Sequence, residues 1–218
     1  MKKLLMFTTL ILWFFGSYGQ NFSSDMARVN NLYIHLNKNM MVSTTTTVDK
    51  QVVSNQKISM SIKGVDEFYM KDAKTEVLVR DGLKIIVSRN DRAVIVDSNY
   101  QEELNQLPVS VFDTLRNAYR SIDRTILENG NIQYKLVPKT VNSRVLIILD
   151  GETLLIKLIR IESVLGNDKQ QSLELKYSYQ PLSELPSVSK YVVKTNGKYQ
   201  LSQHWAGFTL LNYLPKPN

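Results

Sequence analysis

The chain has 218 residues, 43% of them hydrophobic, with a formal net charge of +7 and no cysteine. This length buries one good core, or one core with a small appendage. The missing cysteines exclude disulfide staples, and interspersed charges without a run of Lys or Arg exclude a nucleic-acid footprint.

Lys2 and Lys3 precede an uncharged apolar stretch from Leu4 to Phe15, and the small residues Ser17 and Gly19 stand before Gln20. This is the pattern of a secretory signal peptide cut after Gly19. The apolar stretch is too short for a membrane span, which takes about 20 residues. The mature chain is therefore expected outside the cytoplasm, in the periplasm, without a transmembrane segment. It loses two of its positive charges with Lys2 and Lys3, which leaves a mild basic excess compatible with an anionic lipid headgroup or with an ordinary solvated surface.

Ser23 and Ser24 suit a helix start, with Asp25 in the first turn, and Met26, Val29, Tyr33 and Leu36 recur at helical spacing. An amphipathic helix is predicted over Ser24–Asn37. From Met40 the period becomes two. Met40–Val48 is β-branched, and Ile58, Met60 and Ile62 alternate with Ser59, Ser61 and Lys63, which predicts a strand with one apolar and one wet face. Strands over Phe68–Met70, Glu76–Arg80, Leu83–Ser88 and Ala93–Asp97 follow, with turns at Asp81-Gly82 and Asn90-Asp91. Asp-Gly between two apolar runs is a strong hairpin signal, because both turn positions favour positive φ.

Pro108 fits the first turn of a helix, and Val109, Phe112, Leu115 and Tyr119 follow at spacings of three and four. A second amphipathic helix is predicted over Pro108–Arg120. Strands then resume at Thr125–Leu127, turn at Asn129-Gly130, and alternate through Ile132, Tyr134 and Leu136. Arg144–Leu149, Asp150-Gly151 and Thr153–Val164 read as a long hairpin. Gly166-Asn167 leads into the alternation of Leu173, Leu175, Tyr177 and Tyr179. Pro181 and Pro186 mark a linker. Beyond it, Tyr191–Lys194, Asn196-Gly197, Tyr199–Leu201 and Phe208–Leu211 repeat the strand-turn pattern.

The expected fold class is α+β: one large curved antiparallel sheet, or unclosed β-barrel, with amphipathic helices on its concave face. Three segments are expected: a signal peptide over residues 1–19, a half-barrel domain over 20–180, and a C-terminal extension over 181–218, a hairpin either docked on the sheet edge or offered to a partner.

Chemistry is sparse. His35 and His204 lie at opposite ends of the chain, no carboxylate spacing suggests a metal site, and no nucleophile elbow, phosphate loop or dinucleotide turn is present. Asp66 and Glu67 are adjacent, which in a strand puts them on opposite faces. Arg120 and Arg124 read either as headgroup or carboxylate recognition or as a solvated helix end. No catalytic residue, metal or cofactor is expected. What remains is an apolar cavity. Its expected lining is Ile58, Met60, Ile62, Val77, Val79, Tyr134, Leu136, Leu173, Leu175 and Tyr177, with Val29, Tyr33, Leu36, Phe112 and Leu115 on the helices as a lid. A filled core is the competing reading for each of these residues.

The element order, the strand–Asp-Gly–strand at Val77–Val87 and the segment Val145–Tyr179 ending in SLELKYSY together resemble the LolA-like lipoprotein-carrier family over residues 24–180. The resemblance implies an unclosed β-barrel with a helical lid that binds acyl chains of lipoproteins or lipids in the bacterial periplasm. Met40–Val48 lacks the early-strand arginine of that family, Ile58–Met70 lacks its aromatic-Arg-Trp cluster, and the tail beyond Pro181 is additional. Two functions are therefore expected as rivals. One is a periplasmic carrier of a lipid or lipoprotein. The other is a non-enzymatic component of an envelope assembly that docks a protein partner through residues 190–214, in which case truncation after Pro186 would leave the fold intact.

Overall fold

The structure, a computed structural model, describes residues 21–64, 67–98, 118–139, 142–164 and 169–214. The predicted signal peptide and the second predicted helix, as far as residue 117, lie outside the described residues. Helix α1 is helical over residues 21–34. It starts before Ser24, where the additional turn buries Phe22 beside Met26, Val29 and Tyr33, and it ends before Leu36, since Asn37 already opens the first strand.

Strands β1 (Asn37–Val48) and β2 (Gln51–Lys63) meet at a two-residue turn in which Asp49 and Lys50 both take positive φ. Then come β3 (Glu67–Lys71), β4 (Thr75–Arg80), β5 (Leu83–Ser88) and β6 (Ala93–Asp97). Asp81 and Gly82 carry φ of 55° and 72°, as the hairpin signal requires. Next are β7 (Tyr119–Ile126), β8 (Ile132–Pro138), β9 (Ser143–Leu149), β10 (Ile156–Val164) and β11 (Gln170–Pro181). The last strands are β12 (Val192–Thr195), β13 (Lys198–Leu201) and β14 (Thr209–Asn212). Among the described residues twelve strands share one sheet, in the order β14-β6-β5-β4-β3-β2-β1-β11-β10-β9-β8-β7, while β12 and β13 pair with each other. The order has two ends and does not close. The pairs from β2 to β6 and from β11 through β10, β9 and β8 to β7 are antiparallel, and β14 runs parallel to β6.

Two expectations are corrected. Tyr119 and Arg120, placed at the end of a helix by spacing, open strand β7, where Tyr119 pairs with Pro138 and Ser121 with Val137 across a bulge. Pairing along β8 outweighs the helical spacing of one tyrosine. Ser61, assigned to a wet face, is buried because its hydroxyl donates to Asn39 Oδ1 at 2.8 Å.

The chain divides into two compact units. The first comprises Met1–Tyr33, Thr44–Asn55 and Pro108–Tyr177, and the second Ile34–Ser43, Gln56–Leu107 and Ser178–Asn218. In the first unit α1 packs on β8: the Phe22 and Tyr134 rings meet edge to face at 5.1 Å, and the Tyr134 hydroxyl donates to Asp25. Arg124 Nε donates to the Tyr134 hydroxyl at 3.1 Å and lies 3.4 Å from Asp25. Burial, with the Asp25 carboxylate beside it, raises the Tyr134 pKa above the usual tyrosine value.

In the second unit β4 is buried on both faces, and β5 and β6 are buried on one. Cross-strand pairing puts Leu78, Ile85 and Val96 in one row and Glu76, Val87 and Val94 in the next. The C-terminal residues cover these rows: Tyr191, Val192 and Trp205 belong to the same buried cluster as Leu78, Ile85, Val87, Val94 and Val96. Asn196 and Gly197 form the β12–β13 turn with positive φ, and β14 pairs along β6 from Thr209 with Ala93 to Asn212 with Val96. Of the two placements expected for the tail, docked on the sheet edge or offered to a partner, the structure has the docked one, with β14 at the end of the sheet beside β6.

Candidate functional site

The sheet of the first unit carries apolar rows on the face that α1 covers. Pairing aligns Tyr134 with Ile147, Ile147 with Ile159, and Ile159 with Leu175. One step along lie Leu136, Val145, Ile161 and Leu173, and one further step brings Ser143, Ser163 and Gln171 into line. Residues opposite one another in a ladder share a face. The face therefore passes from apolar to polar within two residues of each strand.

Burial falls along the same direction. In the first row Tyr134, Ile147 and Ile159 are buried and Leu175 half-buried; in the next Leu136 is buried, Val145 and Leu173 are half-buried and Ile161 is 36% exposed. An apolar row left partly in water is the feature a filled core lacks.

At this end of the strands lies a cavity of about 730 Å³, lined from the starts of β7, β9 and β11, the ends of β1, β8 and β10, and the β1–β2 turn. Backbone bonds fix its rim. Asp49 N donates to Gln170 O at 2.8 Å and Gln170 N to Asp49 Oδ1 at 3.0 Å, which ties the turn to β11. Lys139 N donates to Ala118 O at 2.8 Å, and the Thr47 and Ser172 hydroxyls are 2.7 Å apart. The lining includes four cations, Lys50, Arg120, Lys139 and Arg144, and one acid, Glu162. Arg144 stands opposite Glu162 in the ladder, yet among the described residues no ion pair involves any of the four cations.

The residues expected to line a cavity fall in both units, and none of them lines this one. In the first unit Tyr134, Leu136, Tyr177, Val29 and Tyr33 are buried, while Leu173 and Leu175 are half-buried. Burial pushes the Tyr177 hydroxyl up to about 12. In the second unit Ile62, Val77, Val79 and Leu36 are buried, and Ile58 and Met60 half-buried. Met60, Met70, Val77, Ile86 and Ile95 form one row there, opposite to the tail-covered face, and all but Val77 are half-buried. Phe112 and Leu115 lie outside the described residues. Arg124 is taken up by Asp25 and Tyr134, whereas Arg120 lines the cavity. Lys50, Lys139 and Arg144 escape a reading of the sequence because they come from separate strand ends and a turn, with no spacing that links them.

The second unit holds a buried carboxylate, Glu76, at 2% exposure. Tyr191 and Tyr69 donate to its Oε2 at 2.9 and 3.1 Å, Lys190 approaches at 3.5 Å and Lys71 at 3.7 Å, and Arg89 forms an ion pair with Oε1. Burial pushes the carboxyl up, but the bonds from Tyr191, Lys190, Tyr69 and Arg89 outweigh it and hold the pKa below the usual carboxylate value. The neighbouring Tyr69 is pushed up to about 12 by burial and by the Glu76 charge. Every partner of Glu76 is a positive group or a hydroxyl donor, which makes it a tie between the strands and the tail.

No protein-family model matches the chain, and no curated protein matches it in sequence. Among solved structures it is similar to a LolA superfamily protein from Nitrosomonas europaea, with 13% identity and a TM-score of 0.34 over 76% of this chain and 94% of that one. It is also similar to a chain of the Pseudomonas aeruginosa MucA/MucB complex, with 12% identity and a TM-score of 0.41 over 82% of this chain and 63% of that one. LprF from Mycobacterium bovis matches with 9% identity and a TM-score of 0.36 over 76% of this chain and 97% of that one. Likenesses of this size assign no residue a role.

Proposed function

We propose that the protein is an exported, non-enzymatic carrier that takes up the acyl chains of a lipid or lipoprotein on an apolar sheet face. The row Leu136, Val145, Ile161 and Leu173 carries this reading. Its outer members are left partly uncovered beside a cavity of about 730 Å³, a size suited to a small amphiphile. Burying each methylene there gains about 0.8 kcal/mol, so affinity needs no catalytic group. Export is supported by the basic, apolar and small-residue pattern of residues 1–19. Among the described residues no helix is long and apolar enough to cross a membrane.

Native mass spectrometry on protein purified without detergent tests the reading. A bound mass in the lipid range, removed by organic extraction, is the expected result. A clean apo mass from protein that also fails to take up added lipid overturns it.

A further inference from the structure

We propose that the cavity at the strand ends of the first unit is an anion site, and that it receives the phosphate or carboxylate headgroup of an amphiphile whose chains lie on the adjoining apolar row. The inference rests on the carrier reading for the source of the anion, but the site itself rests on its own residues. Lys50, Arg120, Lys139 and Arg144 converge from four separate places in the chain on one concavity that holds a single acid, Glu162. All four are exposed, and among the described residues no ion pair or side-chain hydrogen bond engages them. Three other cations of the unit are paired: Lys157 meets Asp150 at 2.7 Å, Lys176 meets Glu174 at 2.8 Å, and Arg160 pairs with Glu174. The excess of positive charge is thus concentrated in the concavity, where walls of low dielectric focus the field.

The chemistry of the four side chains selects the ligand. A guanidinium offers a planar fork that matches phosphate or carboxylate oxygens two at a time, and an ammonium adds a mobile point charge. Ser143, Ser163 and Gln171 continue the face of the apolar row and supply neutral donors at the cavity. Arg144 and Glu162 alternate with Val145 and Ile161 onto the other face, so a headgroup reaches the cations from the row around the strand ends.

Calorimetric titration of the full-length chain, purified as the host processes it, decides the matter. The probes are dihexanoyl phosphatidylglycerol, dihexanoyl phosphatidylcholine and inorganic phosphate. The expected result is a preference of about tenfold for the glycerol lipid at low salt, weakened at high salt and abolished in R120Q/R144Q. The control K57Q/K135Q removes two exposed cations elsewhere and keeps the preference. Equal binding of both lipids, unchanged in R120Q/R144Q, overturns the anion site and leaves the carrier reading standing. Binding of phosphate alone, lost in R120Q/R144Q, supports the anion site with a free anion as its ligand and overturns the carrier reading. Absence of binding by all three probes overturns both. Circular dichroism of R120Q/R144Q matching the parent confirms that a lost preference comes from the groove and not from the fold.

Discussion

Single side chains set the firmest ties in this molecule. Glu76 joins β4 to Tyr191, Lys190 and Arg89. Its pKa is held below the unfolded value, so its contribution is complete above that value, about 4.3, and is lost as pH falls through the folded value. Thermal melts from neutral to acid pH are expected to show the midpoint falling below about pH 4, with a shallower fall in E76Q. Glu76→Ala leaves two hydroxyls and the cations without their acceptor and is expected to cost about 3–5 kcal/mol in urea unfolding. A second tight point is Gly151. A Cβ there would stand 1.9 Å from the carbonyl oxygen of Gly130, a backbone atom that cannot swing aside. Gly151→Ala is expected to destabilise by about 1–3 kcal/mol, read from the same denaturation curves.

Among the elements, the C-terminal strands behave as part of the sheet they cover. Tyr191 and Trp205 stack at 5.9 Å, Phe208 meets Trp205 edge to face at 5.0 Å, and the Arg89 guanidinium lies 5.4 Å from the Trp205 ring centre. Trp205→Ala is expected to cost about 3–5 kcal/mol, with hydrogen exchange accelerating in β5 and β6. Truncation after Pro186 uncovers Leu78, Ile85, Val87, Val94 and Val96, and is expected to yield an aggregating or partly unfolded product in size-exclusion chromatography. A truncated chain that stays monomeric with unchanged melting would contradict this account.

For the whole molecule, the apolar row beside the cavity separates a carrier from a filled sandwich. Ile161 and Leu173 are directly opposite each other in the ladder and are not fully buried. Ile161→Arg and Leu173→Arg are therefore expected to keep most of the stability and to lose the bound lipid mass in native mass spectrometry. Unfolding of both variants with no change in bound mass per folded molecule would favour a packed core. Much of the architecture is legible beforehand. The period-two runs around Ile132–Leu136, Leu83–Ser88 and Leu173–Tyr177 identify strands, and Asp81-Gly82 and Asn196-Gly197 identify hairpin turns, because these signals are local. The burial of both faces of β4 has a local trace as well, in the unbroken Val77, Leu78, Val79 run.

The sequence by itself determined most of the element types, most of their turns, and the α1 stripe of Met26, Val29 and Tyr33, since periodicity and positive-φ residues act over a few positions. Tertiary structure decided what each face meets. It put the tail over β4–β6, turned Tyr119 and Arg120 into strand by pairing with β8, and surrounded Glu76 with donors more than a hundred residues away as well as near ones. It also gathered Lys50, Arg120, Lys139 and Arg144 from a turn and three strand ends into one cavity. Strand register fixes such neighbours, and register is a property of pairs of strands, not of either strand alone.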